Sequence, residues 1–295
     1  MAKKLFNTKI GLALGGGAAK GIAHVGVLKA LEDNNVDIRY IAGTSVGAIV
    51  AALFAFNVDV DTIGGLAKRL TMSKVTSFKL SKTGFFSTES LRDLMVEYLG
   101  EVNIEEANIP LSIVATDIKT GEEIILTRGS VADAVCASAA IPGIYIPVQI
   151  GTRTLVDGGL VQNVPIEALQ AMGAGVTIAS HLNSASHYSD ISHVLDVMRN
   201  AFEIAVSHHT RDQLESADLL ISMDVSNFSL RDNTDRYDEL FAVGYNTATQ
   251  QLNKLVWYKK RNVLLYPWRA VKELAPFKVP EAVKRLTLEK NSVDK

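Results

Sequence analysis

The sequence YIAGTSVGAIVAALFAF, residues 40–56, contains the strand-to-helix turn that is most informative about the fold of this chain. Its opening Tyr40–Ala42 predicts a short strand, and Val46–Phe56 is apolar on every side, which predicts a buried helix. Only Gly43–Gly47 separates the two, so the strand must turn abruptly into the helix. The pattern G-x-S-x-G at such a turn would expose the Ser45 hydroxyl in strained backbone geometry, the position that a nucleophilic serine requires.

A second tight turn between a strand and a helix lies nearer the N-terminus. Ile10–Leu14 predicts a strand, Gly21–Leu31 has the apolar spacing of a helix, and the glycine turn Gly15–Gly21 joins them. The turn departs from the dinucleotide fingerprint G-x-G-x-x-G, because its last glycine comes one residue late and Asp37 precedes the second strand. Its backbone N–H groups could instead bind the oxyanion of an acyl intermediate. A packing turn without chemistry is the alternative.

The third candidate is Asp157, which ends a predicted strand and precedes Gly158 and Gly159. Asp-Gly is a common turn dipeptide, so the pattern alone has an ordinary structural explanation. A serine nucleophile nevertheless needs a base, and an aspartate at a strand end is suitably placed. Because the ordinary pKa of aspartate is about 3.9, the site would have to compensate by partial desolvation and close contact.

The three motifs, in this order, resemble those of the bacterial patatin-like phospholipases. The segment ASAAIPG, residues 137–143, is similar to the family's sequence before the catalytic aspartate, and the resemblance runs from about Ile10 to Met223. It implies a Ser/Asp dyad hydrolase of acyl lipids that uses no metal and no other cofactor. Ser45 would be the nucleophile and Asp157 the base.

The resemblance also implies an oxyanion hole formed at the glycine turn, by Gly15, Gly16 and Gly17 with Lys20 beside them. Plant patatins have one residue between the three glycines and the basic residue, whereas this chain has two, at positions 18 and 19. The sequence therefore leaves open which N–H groups face the oxyanion.

Two other functions stay open from the sequence. An α/β-hydrolase esterase would need a histidine, and His208 or His209 comes last in the chain order as that mechanism requires. Both lie within a predicted long helix, Val194–Leu214, where an exposed pair is the simpler interpretation. The other alternative is a non-catalytic lipid-binding or regulatory protein. The six histidines show no zinc-ligand spacing with cysteine or carboxylates, so no metal site is expected.

Strands alternate with helices along the chain, which predicts an α/β fold. We expect a three-layer arrangement with a mainly parallel central sheet covered by helices on both faces. Hairpins are predicted at Leu111–Thr127 and Val148–Val156. A single domain is expected over residues 1–280, followed by a polar tail over residues 281–295.

Composition excludes several functional classes. Thirty Lys and Arg against 32 Asp and Glu give a formal net charge of −2, so no overall field favours nucleic acid. The single cysteine, Cys136, rules out an internal disulfide, fits a reducing compartment and is expected to be buried. The longest uncharged apolar run, Val46–Phe56, is shorter than the roughly 18 residues of a membrane-spanning helix. The N-terminus is interpreted as a strand rather than a signal peptide.

The composition predicts a cytoplasmic protein, and the resemblance implies a lipid or phospholipid as its substrate. Peripheral membrane contact is an open question, and the sequence predicts no oligomeric state. Leu255–Arg269 interleaves aromatic and basic residues, as interfacial segments do, although packing at a helix end explains it equally well. Phe78, Phe85 and Phe86 are further candidates for an acyl groove or interface, with core packing as the alternative.

Overall fold

The structure is a computed structural model, and it describes residues 9–17, 20–69, 77–78, 81, 83–183, 191–228 and 235–260. Residues 1–255 form one compact unit. Of a second unit, residues 256–295, only 256–260 are described, and they belong to a helix. The predicted polar tail and most of the predicted interfacial segment, residues 261–269, lie outside the described residues.

The strands and helices follow the predicted alternation. Within the described residues the strands are β1 (Ile10–Leu14), β2 (Ile38–Thr44), β3 (Ser77–Phe78), β4 (Phe86–Ser87), β5 (Leu111–Asp117), β6 (Glu123–Leu126), β7 (Val148–Ile150), β8 (Arg153–Asp157), β9 (Val176–Asn183) and β10 (Leu219–Asp224). The helices are α1 (Ile22–Asp33), α2 (Val46–Ala55), α3 (Val60–Arg69), α4 (Glu89–Leu99), α5 (Val131–Ser138), α6 (Ile166–Ala171), α7 (Val194–Leu214) and α8 (Tyr237–Lys260).

The central sheet has the strand order β10-β9-β1-β2-β5-β8-β7, with β6 also paired to β5. The pairs from β10 to β5 are parallel, whereas β8 runs antiparallel to both β5 and β7. The predicted hairpins are present as β5 with β6 and β7 with β8. The mainly parallel α/β sheet with added hairpins is therefore confirmed.

The helices cover both faces of the sheet because successive strand residues point to opposite sides. On β1, Leu12 and Leu14 pack into the core that includes α1 and α2, whereas Ala13 packs with Ile166 and Leu169 of α6. Helix α2 is buried nearly throughout, as its sequence predicts. A helix enclosed in this way holds its first residues firmly, which matters because Ser45 immediately precedes it.

No helix among the residues that the structure describes is both long enough and apolar enough to cross a bilayer.

Candidate active site

Ser45 lies at the sharp turn between β2 and α2. Its backbone has φ 54° and ψ −124°, a left-handed conformation that a residue with a side chain rarely adopts. The flanking glycines make the turn possible: a β-carbon on Gly47 would collide with the carbonyl oxygen of Leu14, and one on Gly43 would lie 2.5 Å from the Gly47 carbonyl oxygen. The G-x-S-x-G spacing thus reflects a backbone too close-packed for side chains at either glycine.

A hydrogen-bond chain fixes the backbone of Ser45. Its N–H donates to Ser138 Oγ at 2.9 Å, and the Ser138 hydroxyl donates to the Val114 carbonyl on β5 at 2.6 Å. Ser138 lies in the ASAAIPG segment, and the sequence alone indicates no role for this residue. Its buried hydroxyl makes two hydrogen bonds, one accepted and one donated, and both fix the turn. This function is evident only in the folded structure.

Strand register places Ser45 and Asp157 at the same region of the sheet. Thr44, at the end of β2, pairs with Val114 of β5, and the next residue of β5, Ala115, pairs with Asp157 at the end of β8. Because β5 lies between the other two strands, the nucleophile candidate and the base candidate approach each other across it. Residues 112 positions apart in the chain are thereby joined in one site.

The Asp157 backbone is fixed on both sides. Its N–H donates to the Ala140 carbonyl at 2.9 Å, and its carbonyl accepts the Thr116 hydroxyl at 2.9 Å. The side chain is fully buried, and Oδ1 accepts the N–H of Gly159 at 2.8 Å. Oδ2 is also buried and makes no hydrogen bond of ordinary geometry with the described residues.

Burial raises the pKa of Asp157 to about 7, against the opposing effects of the Gly159 N–H and the Ser45 hydroxyl, which both lower it. The Ser45 hydroxyl therefore interacts with this carboxyl group, although no short hydrogen bond joins them in this structure. A carboxyl group with a pKa near 7 is a far better proton acceptor at neutral pH than an ordinary aspartate. An aspartate with its ordinary pKa would be a weak base, and burial offsets this weakness by raising the pKa of Asp157.

The glycine turn lies beside Ser45, since a β-carbon on Gly16 would be 3.4 Å from the Ser45 β-carbon. Two of its three glycine N–H groups are already used: Gly15 N–H donates to the Ser180 carbonyl and Gly16 N–H to the Asn163 carbonyl, each at 3.0 Å. The Gly17 N–H makes no hydrogen bond to any residue in the described part of the chain. Of these three glycines, Gly17 is therefore the one whose N–H has no acceptor among the described residues.

Lys20 is partly buried at the end of the glycine turn. Burial lowers the pKa of its amino group, while Glu203 on α7 and Asp224 at the end of β10 act in the opposite direction. Two protein carboxylates therefore act on the charge of Lys20. This placement favours a role in compensating those carboxylates over direct binding of the oxyanion.

Helix α7 has the bounds that the sequence predicts, and it packs next to the candidate dyad. A β-carbon on Gly159 would lie 3.4 Å from Phe202 Cζ and 3.3 Å from Val206 Cγ2, and Met198 contacts Gly143. These three apolar side chains recur every four residues, so they form one face of the helix. The sequence predicted the helix, but it gave no sign that this face would pack beside the loop after Asp157.

The histidines of the rival mechanism are not positioned for it. His208 and His209 are exposed on α7, and no hydrogen bond within the described residues joins either to Ser45 or Asp157. Cys136 is buried as predicted, and burial raises the pKa of its thiol to about 12. No cluster of three or more His, Cys, Asp or Glu able to hold a metal occurs in the part of the chain that the structure describes.

The predicted interfacial phenylalanines differ in their surroundings. Phe85 is exposed over 37% of its surface, whereas Phe86 is half-buried with its ring 6.3 Å from that of Tyr145. The side chain of Phe78 is outside the described set.

Known proteins are similar in sequence to about 60% of this chain. An uncharacterised NTE family protein of Mycobacterium tuberculosis is 36% identical over 180 residues, which cover 60% of this chain and 50% of that protein. A lysophospholipase of Pyricularia oryzae is 30% identical over 190 residues, covering 62% of this chain but 13% of the relative. The chain thus spans half or less of the length of these curated relatives.

Solved structures share the fold. VipD from Legionella pneumophila superimposes with a TM-score of 0.55 at 15% identity, over 84% of this chain and 67% of that one. ExoU from Pseudomonas aeruginosa, in complex with SpcU, gives a TM-score of 0.51 at 14% identity, over 84% and 52% of the two chains. The sequence model of the patatin-like phospholipases matches residues 12–169, more than half of the chain and both dyad candidates. The chain belongs to the patatin-like phospholipase family.

Proposed function

We propose that this protein hydrolyses fatty-acyl esters of lysophospholipids, phospholipids or related lipids through a Ser45 acyl-enzyme, with Asp157 as the base. The observation that carries the proposal is the pairing of a serine in strained geometry with a buried carboxyl group whose pKa is about 7. Membership of the patatin-like phospholipase family supports an acyl lipid as the substrate. A relative named as a lysophospholipase favours the lysophospholipid class within it.

The first half-reaction transfers the acyl group to the enzyme. As Ser45 Oγ attacks the ester carbonyl carbon, its proton passes to Asp157, and the carbonyl oxygen becomes an oxyanion. The N–H of Gly17, which has no acceptor among the described residues, and the N-terminus of α2 are available to stabilise that negative charge. When the C–O bond to the alcohol breaks, Asp157 returns the proton to the leaving oxygen, and the alcohol departs.

The second half-reaction releases the fatty acid. Asp157 accepts a proton from a water molecule as its oxygen attacks the acyl carbon, and the same N–H groups receive the second oxyanion. Collapse of this intermediate breaks the bond to Ser45 Oγ, which recovers its proton from Asp157. The exposed positions of His208 and His209 weigh against a histidine as the base in either step.

The Ser45→Ala variant tests the proposal. We expect fatty-acid release from lysophospholipid, diacyl phospholipid and p-nitrophenyl esters to fall by at least about 10³-fold in kcat. Labelling by a fluorophosphonate probe should also disappear. Ser216→Ala is the control, because the Ser216 hydroxyl donates to the carbonyl of nearby Gln213 and, among the described residues, makes no hydrogen bond to the candidate dyad. Equal labelling of wild type and Ser45→Ala would remove the nucleophile from the proposal.

We also propose that the outward side of α7 makes the peripheral contact with the lipid surface. Val197 and Ile204, seven residues apart on one side of the helix, are exposed over 48% and 42% of their surfaces, and the opposite side of the same helix packs beside the dyad. Apolar side chains on a surface helix favour the boundary between lipid headgroups and acyl chains. Contact there would bring the bilayer close to Ser45.

Replacing Val197 and Ile204 together by serine is expected to reduce co-sedimentation with phosphatidylcholine vesicles several-fold. Hydrolysis of a short, water-soluble p-nitrophenyl ester should not change, since these side chains point away from the dyad. Ile118→Ser removes a comparably exposed apolar side chain, 46% exposed, from another part of the chain and serves as the control. Vesicle binding that is unaltered in the double variant would assign membrane contact elsewhere.

A further inference from the structure

A fully buried histidine lies directly behind the glycine turn, and the proposed mechanism does not use it. His24, in the first turn of α1, has its Nε2 2.8 Å from the Gly15 carbonyl oxygen and its Nδ1 2.8 Å from Ser180 Oγ. The sequence suggested no role for His24, since nothing in the local pattern around it indicates a partner 156 residues away. Both ring nitrogens therefore have hydrogen-bond partners, one being Gly15 of the turn itself and the other Ser180, which also contacts Gly15.

The hydrogen bonds define the protonation state of His24. A carbonyl oxygen only accepts, so the proton lies on Nε2 and is donated to Gly15. Burial lowers the pKa of His24 to about 4, so the ring is neutral at pH 7. Nδ1 then accepts a hydrogen bond from the Ser180 hydroxyl. Ser180 in turn accepts the Gly15 N–H through its own carbonyl, at 3.0 Å. His24 and Ser180 therefore hold Gly15 at both its N–H and its C=O.

The peptide unit between Gly15 and Gly16 is consequently fixed at both ends. Its carbonyl accepts from His24, and its N–H donates to the Asn163 carbonyl at 3.0 Å. These groups point in opposite directions in a trans peptide, so rotation of the plane would break both bonds. Glycine backbone is otherwise the most freely rotating in a chain. The next N–H along the turn is that of Gly17, for which the described part of the chain supplies no acceptor.

The same carbonyl also connects the turn to the nucleophile. A β-carbon on Gly47 would lie 2.6 Å from the Gly15 carbonyl oxygen, so this oxygen packs against the G-x-S-x-G segment. The position of the Gly15 carbonyl therefore sets the distance between the glycine turn and the Ser45 elbow. His24 is the side chain that donates to it.

We propose that His24 is a positioning residue, whose Nε2–H locks the Gly15–Gly16 peptide and thereby aims the Gly17 N–H at the oxyanion formed on Ser45 attack. This inference rests on the proposed hydrolase function. Complete loss of an oxyanion-hole donor lowers kcat by about 10²–10³-fold. Because removal of His24 would misdirect the donor rather than delete it, a loss of about 10–100-fold in kcat is expected.

His24→Asn and His24→Gln form a matched pair for the test. The longer glutamine amide reaches the region of Nε2 and can donate to Gly15, whereas the asparagine amide reaches only the region of Nδ1, near Ser180. We expect His24→Asn to lower kcat on a p-nitrophenyl ester about 10–100-fold with KM changed less than about 3-fold. His24→Gln should stay within about 3-fold of wild type.

Affinity for a trifluoromethyl ketone distinguishes positioning from general loss of structure. Addition of Ser45 to this ketone generates an oxyanion, so its binding should weaken in His24→Asn by the same factor as kcat/KM. Ser180→Ala supplies a second, smaller change: it removes the partner of Nδ1 and should lower kcat about 3–10-fold while the fold, measured by Tm, is kept.

The outcomes separate this inference from the function on which it rests. A wild-type protein that hydrolyses no ester and binds no trifluoromethyl ketone overturns both. An active wild type with His24→Asn and His24→Gln equally impaired, with undiminished ketone affinity in His24→Asn, or with unchanged kcat in Ser180→Ala overturns only the role of His24.

Discussion

Asp157→Asn is expected to abolish turnover, by at least about 10³-fold in kcat, and at the same time to stabilise the folded protein at pH 8. Turnover is lost because an amide cannot accept the Ser45 proton. Stability rises because the asparagine has similar volume and carries no charge to bury. The wild-type carboxylate is enclosed completely and, within the described residues, leaves Oδ2 without an ordinary hydrogen bond.

The pH dependence of the stabilisation follows from the pKa of Asp157, about 7 in the folded protein against an ordinary value of 3.8. Between these values the folded state binds more protons than the unfolded state, so the contribution of Asp157 to stability falls as pH rises from about 4 to about 7. Above pH 7 the cost is complete, at most about 4 kcal/mol. The advantage of Asp157→Asn should therefore be largest at pH 8 and small at pH 4.

Thermal unfolding of wild type and Asp157→Asn at pH 4, 6 and 8 measures this difference directly. At pH 8 the variant should gain several degrees in Tm, since about 1 kcal/mol corresponds to about 2–4 °C in a chain of this size. Asp212→Asn, at an exposed position on α7, is the control and should show no such trend. Retained esterase activity in Asp157→Asn rejects the dyad, and an equal Tm gain at all three pH values rejects burial of charge as its cause.

Among substitutions that add a single methyl group at the site, Gly47→Ala should destabilise the folded protein most. The new β-carbon would overlap the carbonyl oxygen of Leu14, which belongs to the central strand β1 and cannot move aside without breaking the sheet. We expect the free energy of unfolding to fall by about 3–5 kcal/mol, or the protein to fail to accumulate in folded form. In any fraction that still folds, the backbone conformation of Ser45 should be altered, and the fluorophosphonate probe should no longer label this serine.

Gly65→Ala is the matched control for this prediction. It makes the same chemical change in the interior of α3, where an added β-carbon would meet nothing within 4 Å. Alanine is favoured over glycine in a helix, so this variant should gain up to about 1 kcal/mol in chemical denaturation. Similar stability of Gly47→Ala and Gly65→Ala would mean that the turn before α2 can relax, contrary to the packing described here.

The local features of this protein are predictable from its amino-acid sequence. Glycine spacing and an apolar run were sufficient to predict the turn at Ser45, and apolar periodicity gave Val194–Leu214 as the bounds of α7. Such features depend on residues close together in the chain, whose preferred conformations and spacing are written in the sequence. The alternation of strands and helices predicted the α/β class for the same reason.

The chemical properties of the site depend on contacts that form only in the folded protein. The pKa of Asp157 depends on complete burial, and the use of the Gly15 and Gly16 N–H groups depends on carbonyls from Ser180 and Asn163. Likewise, His24 acquires its partners only when β1 and β9 are paired. Desolvation and hydrogen bonding act between groups that folding brings together from distant parts of the chain, so their strength is set by three-dimensional proximity and not by sequence spacing.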